Sequence, residues 1–463
     1  MGPDCMPPPP TNLPLFCQLV ISRSVPAISL VLALLVGVFS LVVVSTESAS
    51  AETEQVAYSF VDGDTGGVAV LEVDVKTGKI VGQKKLFAST SAGKAGKLRI
   101  YDRDQGLVLL NPSKNGPHLF LARMDGRSPV KPITLSAKPD ELRVGGEMAI
   151  ATCEKDRIVV IDLKRGVQKE EWDADKLLDP PGNEAEDVLV SVKHQVAVLS
   201  FQKDGAKGNK LGSRVVILRL SDHKVVADLR LPRDRPGLHI PGDNTAQGPC
   251  PEVLFVSEPV DRLIATLDLY GAVAIMDWKS ATMGELKHLT YLSTAPDETW
   301  GTAFPDRAML VYLGGNPYSL VCNSGKIGGS AIVSLRNREI VWRAHTPPGL
   351  EKPIYVGPVR KAFSVCSGKT KQRKGNKITK TMNPKPGVYV FDLSSAAAVK
   401  RKKVEVIPSD QPLLKITLTT SKKWLVLAGG AEKADTLYVF DPRKKQFVDS
   451  QPSVGALQQF ASP

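Results

Sequence analysis

The chain has 463 residues, of which 42% are hydrophobic and 23% charged, and it carries a formal net charge of +12. Those proportions are globular and exclude a disordered or collagen-like chain. One long apolar run is too few for a multi-span membrane protein, and six cysteines are too few for a disulfide scaffold.

Residues 25–44 (VPAISLVLALLVGVFSLVVV) form that run, and Ala49-Ser50-Ala51 after it has the small-x-small form a signal peptidase accepts. Residues 1–51 are therefore predicted to be a signal peptide. The run also reaches the roughly 20 residues that a bilayer span needs, so an uncleaved membrane anchor is the alternative. Either reading places residues 52–463, taken as a single domain, outside the cytoplasm, periplasmic or secreted.

From residue 52 onward one pattern recurs: a β-branched strand, a polar residue, a tight polar turn, then a second strand. It appears as VAVLEVDVKTGKIV (68–81), RIVVIDLKRGVQKE (157–170), AVAIMDWKSATMGEL (272–286) and LYVFDPRKKQFVD (437–449), among others. Aligned on the residue before the turn, the copies fall at Asp74, Arg123, Asp162, Arg219, Asp277, Ser334, Asp392 and Asp441. Two further strand-like runs precede most copies, such as ELRVGG and EMAIATC in the third. Each unit is thus a four-stranded antiparallel meander, A-B-C-D. Repeated units of this kind predict an all-β fold, a β-propeller of eight blades, with seven as the alternative if 74–162 forms one irregular blade. The first unit has no A strand before it, and the tail SVGALQQFASP is expected to supply it and close the ring.

In such a meander the B–C and D–A loops share one face and the A–B and C–D turns the other. The C–D turns read as short (KTGK, KRG, SDHK), whereas 202–213, 232–251, 314–329 and 367–386 read as long B–C or D–A loops. A ligand is therefore expected on the B–C/D–A face. The 367–386 loop carries Lys369, Lys371, Arg373, Lys374, Lys377, Lys380 and Lys385 with no acid, and Lys400–Lys403 (KRKK) is read as following on strand D. These basic residues suit an anionic polymer. The loop has no aromatic residue for base stacking, and no nucleic acid is expected. Another exported protein is the alternative partner, with membrane contact only through an uncleaved amino-terminal segment.

The six histidines show no metal-binding spacing, and no metal is expected. His239, on the 232–251 loop, is the histidine singled out for a binding role, while His223 is read as exposed in a turn. Cys250 and Cys322, read as lying in loops of neighbouring blades, are the candidate disulfide, against buried free thiols as the alternative. Asp62 and Asp64 in VDGDTGG suggest a calcium loop, but the segment sits where a hairpin turn is needed. No nucleophile elbow, P-loop or CxxCH is present.

VDVKTGKIV (73–81) resembles the YVTN-type propeller repeat, which has a strand, Asp, two residues, Thr-Gly-Lys and a strand. IVSLRNREIVWRAHT (332–346) is similar to the neighbouring pyrroloquinoline-quinone-type repeat, with Trp342 in the place of its docking tryptophan. Trp172 falls a residue or two late and the other units lack it, so no cofactor is expected and Trp342 is read as inter-blade packing. The resemblance implies a propeller whose relatives include surface-layer proteins, lactonases and quinoproteins. The functional expectation is an exported binding scaffold; the alternative is a propeller enzyme, a lactonase-like hydrolase or quinoprotein-like oxidoreductase, with its site at the axial channel.

Overall fold

A strand that is apolar at every position must be covered on both faces. Strand Ala272–Asp277 (AVAIMD) is such a case up to its last residue, and all six positions are buried. The computed structural model shows how that burial is met. It describes residues 52–461 except 94–95, 113–115, 180–181, 205–210, 233–248, 299, 301–303, 306, 325–327, 369, 375–376, 383 and 402–403. The signal-peptide or anchor reading of 1–51, and the His239 and Lys369 positions, lie outside the described residues.

Eight four-stranded antiparallel sheets follow one another along the chain as blades of a β-propeller. Blade 2 spans residues 98–134, blade 3 139–173, blade 4 182–230, blade 5 251–293, blade 6 307–344, blade 7 354–408 and blade 8 413–452. Blade 1 takes strands B, C and D from Thr53–Asp62, Thr65–Asp74 and Ile80–Ser89, and its strand A is Ala456–Phe460 from the tail. The closure is antiparallel, pairing Tyr58 with Phe460 and Ser59 with Gln459.

The core is divided among the blade interfaces. Val68 and Val70 of blade 1 pack with Val108 and Leu110 of blade 2. Leu199 of blade 4 meets Ile158 and Val160 of blade 3. Tyr58 and Leu71 of blade 1 meet Val426 and Val439 of blade 8. Each sheet thus hides both faces against its neighbours, which is why isolated blades would not be stable and the ring must close.

The recurrent residue before the C–D turn is a cap. Asp74 Oδ1 accepts hydrogen bonds from the backbone N–H groups of Lys76 (3.0 Å) and Thr77 (2.6 Å). Asp441 Oδ1 does the same for Arg443 (2.8 Å) and Lys444 (3.1 Å), and Asp162 for Arg165 (2.8 Å). Four residues after the anchor the chain turns through the left-handed region, at Gly78, Gly166, His223, Arg338 and Lys445. The Asp-x-x-x-Gly spacing of the repeat is therefore a turn requirement, met by glycine in only some units.

Several boundaries differ from the sequence reading. Residues 314–329 are not one loop: Asn316–Cys322 is strand B of blade 6, because Gly314 and Gly315 (φ 56° and 77°) make a tight A–B turn. Cys322 therefore closes a strand. Both ends of the 202–213 segment are strand as well, since Val196–Asp204 and Leu211–Arg219 extend as B and C of blade 4. The C–D connections of blades 5 and 7 are longer than a turn and carry short helices, Trp278–Ala281 and Ala396–Lys400. Lys400 ends the second helix, and strand D starts only at Val404, so Lys400 and Arg401 of the KRKK cluster lie in the C–D connection and not on strand D. The Asp62-Gly63-Asp64-Thr65 segment is a two-residue hairpin turn with Gly63 at φ 59°, as its position requires.

Candidate functional site

In each blade strand A begins at the D–A loop. Residues at its start therefore gather around the axial mouth on the B–C/D–A face. Several blades place charged residues there. Arg99 is in Leu98–Asp102 of blade 2, Glu141 and Arg143 in Pro139–Gly145 of blade 3, and Asp187 in Gly182–Ser191 of blade 4. Glu252 belongs to Pro251–Ser257 of blade 5, Arg307 opens Arg307–Leu313 of blade 6, and Lys415 is in Leu413–Leu418 of blade 8. Glu351 and Lys352 lead into Ile354–Val356 of blade 7.

These groups clasp one another between blades. Arg99 Nη2 lies 3.7 Å from Glu141 Oε2, and Lys97 also contacts Glu141. Arg143 Nη2 reaches Asp187 Oδ1 at 2.8 Å, and Asp187 Oδ2 accepts from the Leu254 N–H at 2.9 Å. A chain of polar contacts thus runs through blades 2, 3, 4 and 5. On the other side Glu351 takes Lys415 Nζ at 3.3 Å and Arg307 Nε at 3.9 Å, linking blades 8, 7 and 6. Arg99 is buried, and this burial, followed by the nearby Arg143 guanidinium, pushes its pKa down. Sequence reasoning missed this cluster. The signal was present as one or two charges within each apolar A run (KLRI, ELRV, PEVL, LLKI), but only closure of the ring brings those runs together.

The basic 367–386 segment is not a plain loop. Thr370–Lys374 and Lys377–Met382 pair as a two-stranded ribbon between strands B (Lys361–Cys366) and C (Gly387–Asp392) of blade 7. It is a sheet of its own, separate from the blade's four strands. Its register sets Lys371 across from Thr381, Gln372 from Lys380, Arg373 from Ile378, and Lys374 directly across from Lys377. Lys371, Arg373, Lys374, Lys377 and Lys380 are thus brought onto one ribbon on the B–C/D–A side.

Cys250 and Cys322 occur as buried thiols, not as a bridged pair, and the Cys322 sulfur accepts from Ser330 Oγ at 3.4 Å. Burial also pushes the Cys366 thiol up. His223 is not simply exposed: its ring packs at a tilt against Trp172, 4.9 Å between centroids. Trp172 lies across from Ile158, four residues before the anchor Asp162, and Trp342 across from Ile332, two before Ser334. The offset is one strand period, so both tryptophans present the same face to the next blade. Trp342 meets Phe391 of blade 7 edge-on at 6.0 Å.

The opposite face carries two cavities. One of about 510 Å³ opens among Glu54, Ile100, Asp102, Arg103 and Thr417 of blades 8, 1 and 2. The other, about 450 Å³, lies between blades 6 and 7 and is lined by Tyr312, Tyr318, Tyr355 and Arg360. Among the described residues no cluster of His, Cys, Asp and Glu is arranged to hold a metal ion.

No family model matches the chain, and no curated protein matches it. Solved structures do. The dihydro-heme d1 dehydrogenase NirN is 12% identical, with a TM-score of 0.59 over 88% of this chain and 74% of NirN. The carboxy-terminal WD40 domain of Sif2 is 12% identical, with a TM-score of 0.52 over 81% of this chain and 90% of that domain. The quinohemoprotein alcohol dehydrogenase ADHIIG from Pseudomonas putida HK5 is 11% identical, with a TM-score of 0.50 over 77% of this chain and 66% of that enzyme. At these identities the likeness is one of fold.

Proposed function

We propose that this chain is an exported β-propeller that acts as a binding scaffold and takes an anionic partner, a polymer or another exported protein, on its B–C/D–A face. The YVTN-type form of VDVKTGKIV supports a relation to that repeat superfamily on this reading. Export rests on the 25–44 apolar run and the Ala49-Ser50-Ala51 site. The observation that carries the binding role is the blade 7 ribbon. Seven basic residues and no acid lie within 367–386, and the ribbon is inserted on the side where the D–A loops also emerge. A two-stranded ribbon alone is marginal in water, and like charges across it weaken it further, so an anion laid along it would stabilise it.

Carboxylates converging on the axis favour a second reading, a propeller enzyme with its site in the channel. Against it, Glu141, Asp187 and Glu351 are each held by cations, mostly from adjacent blades, which is how a structural girdle uses such groups. Replacing 367–386 by an Asn-Gly turn tests the scaffold reading. The variant should keep the parent's thermal melt and elute from an immobilised sulfated polymer at lower salt. Elution at the parent's salt concentration would refute the ribbon's role. A stoichiometric metal or a quinone absorbance band in the purified protein would favour the enzyme instead.

A further inference from the structure

We propose that the cavity between blades 6 and 7 seats an acidic sugar, a uronate residue whose ring lies against Tyr318 and Tyr355 and whose carboxylate meets Arg360. The site is on the face opposite the ribbon and does not depend on it.

The fold leaves several polar groups at this cavity unused. Its volume of about 450 Å³ falls within the range of about 300–1,000 Å³ typical of small-molecule sites. Leu313 and Val341 of blade 6 and Leu393 and Val399 of the blade 7 C–D connection line it, and all four pack into the core cluster between the two blades. Tyr318 and Tyr355, one from each blade, lie half-buried on that same apolar cluster. Neither phenol hydroxyl makes a hydrogen bond among the described residues, and neither does the side-chain amide of Asn316, which also lines the cavity. The hydroxyls of Tyr58, Tyr291 and Tyr389, by contrast, are bonded within the protein.

Arg360 stands apart from its counterpart in blade 5. There the short helical turn Glu258–Val260 is followed by Asp261 at φ 56°, whose carboxylate accepts the Lys279 N–H at 2.8 Å and so anchors the helix of the C–D connection. In blade 7 the matching turn Gly357–Val359 is followed by Arg360 at φ 52°, but the helix is capped by Ser395 instead. Arg360 thus carries the cost of the left-handed backbone without that duty. It is exposed and its side chain is unpaired among the described residues, while its carbonyl accepts the Leu393 N–H at 3.1 Å, which fixes it at the cavity wall. Lys361, Lys400 and Arg401, beside Arg360 or Val399 in sequence, make no ion pair among the described residues either. The neighbouring carboxylates are engaged: Asp392 accepts the Ser394 N–H at 3.0 Å, Glu339 the Asn337 amide at 2.9 Å, and Glu405 takes Lys445 of blade 8. An apolar floor, polar groups that both donate and accept, and a cation at the mouth match one ligand chemistry. A pyranose offers a C–H face to the tyrosine rings and hydroxyls to the phenols and Asn316, and a carboxylate on it gives Arg360 charge-assisted bonds. A purely aliphatic ligand would cut these polar groups off from water without replacing its hydrogen bonds.

Calorimetric titration of the purified protein with digalacturonate, against its neutral counterpart galactobiose, sodium acetate and tetraglutamate at equal ionic strength, tests the site. Digalacturonate should bind saturably near one per chain, and galactobiose should bind more weakly by about tenfold or more, the scale of a hydrogen bond to a charged group. Arg360→Asn, which tolerates the left-handed backbone, should abolish that preference, and Arg360→Gly serves if the asparagine variant melts early. Tyr318→Phe combined with Tyr355→Phe keeps the ring faces and should weaken both sugars by about fivefold. Lys76→Gln, in the exposed C–D turn of blade 1 on the same face, should leave both affinities unchanged, as should replacement of the ribbon. No saturable binding of digalacturonate, equally tight binding of galactobiose or acetate, binding of tetraglutamate in its place, undiminished binding in the double phenylalanine variant, equal effects of Arg360→Asn and Lys76→Gln, or loss with the ribbon replacement would each overturn the proposal.

Discussion

The Trp424 indole of blade 8 lies flat against Gly78 in the C–D turn of blade 1, close enough that a Cβ on Gly78 would stand 2.9 Å from the ring. Trp424 Nε1 also donates to the Val75 carbonyl at 3.1 Å. The two blades that close the ring are thereby locked from outside as well as through the tail strand. Gly78 also has φ 72°, a conformation costly for any residue with a Cβ. Gly78→Ala combines both penalties and should destabilise by about 2–3 kcal/mol in urea melts. A neutral substitution would mean that the Trp424 contact is not made.

Trp342 and Trp424 bridge neighbouring blades with different chemistry. The Trp342 indole nitrogen is buried and makes no hydrogen bond, whereas that of Trp424 is satisfied by Val75. Phenylalanine at 342 keeps the edge-on contact with Phe391 and removes an orphaned donor, so Trp342→Phe should cost less than about 1 kcal/mol. Trp424→Phe leaves the Val75 carbonyl without this donor and should cost about 1–2 kcal/mol more than Trp342→Phe. Equilibrium melts of the two variants provide the comparison.

The blade count and the closure were legible because each depends on a local signal. An Asp before several of the C–D turns marks a cap, and a first unit lacking strand A requires a donor strand that SVGALQQFASP could supply. Boundaries failed where a turn was disguised: Gly314-Gly315 reads as open loop, yet it is the hinge of a hairpin. The KRKK cluster was misplaced because a short helix after Asp392 lengthens the connection. The axial girdle was not legible because its members lie far apart in sequence, and no local pattern says that Arg143 will meet Asp187.

Removal of residues 453–463 takes away strand A of blade 1 and exposes the inner edge of Thr53–Asp62. Ser59 loses its bond to the Gln459 carbonyl, and Tyr58 loses its edge-on contact with Phe460. The truncated chain should melt early and over a broader range, and it should form concentration-dependent oligomers on size-exclusion chromatography as the free edge finds partners. An unchanged monomeric profile and melt would contradict the closure.

Asp277 departs from the other aspartate anchors: instead of capping a turn it gathers charges. Oδ1 takes Arg262 Nη1 at 2.8 Å together with Arg338, and Oδ2 takes His288 Nδ1 at 2.5 Å. Burial raises the carboxyl's pKa, but His288, Arg338 and Arg262 outweigh it and hold the group below its ordinary 3.8. A folded pKa below the unfolded one stabilises the protein above the unfolded pKa, and the gain is lost as pH falls through the folded value. Asp277→Asn should therefore cost about 2 kcal/mol near pH 7, where it leaves two guanidinium groups facing each other. The difference from the parent should narrow below about pH 4. A difference that stays constant from pH 7 to pH 3 would show that the carboxylate charge is not what matters.

Hydrogen–deuterium exchange with and without a soluble sulfated dextran tests most directly which face meets the partner. The account predicts slower exchange of the ribbon amides in 370–382 when the polymer is present, with no change in the C–D turns at 75–79, 163–166 and 442–445. Protection confined to those turns, or to the cavity between blades 6 and 7, would contradict it.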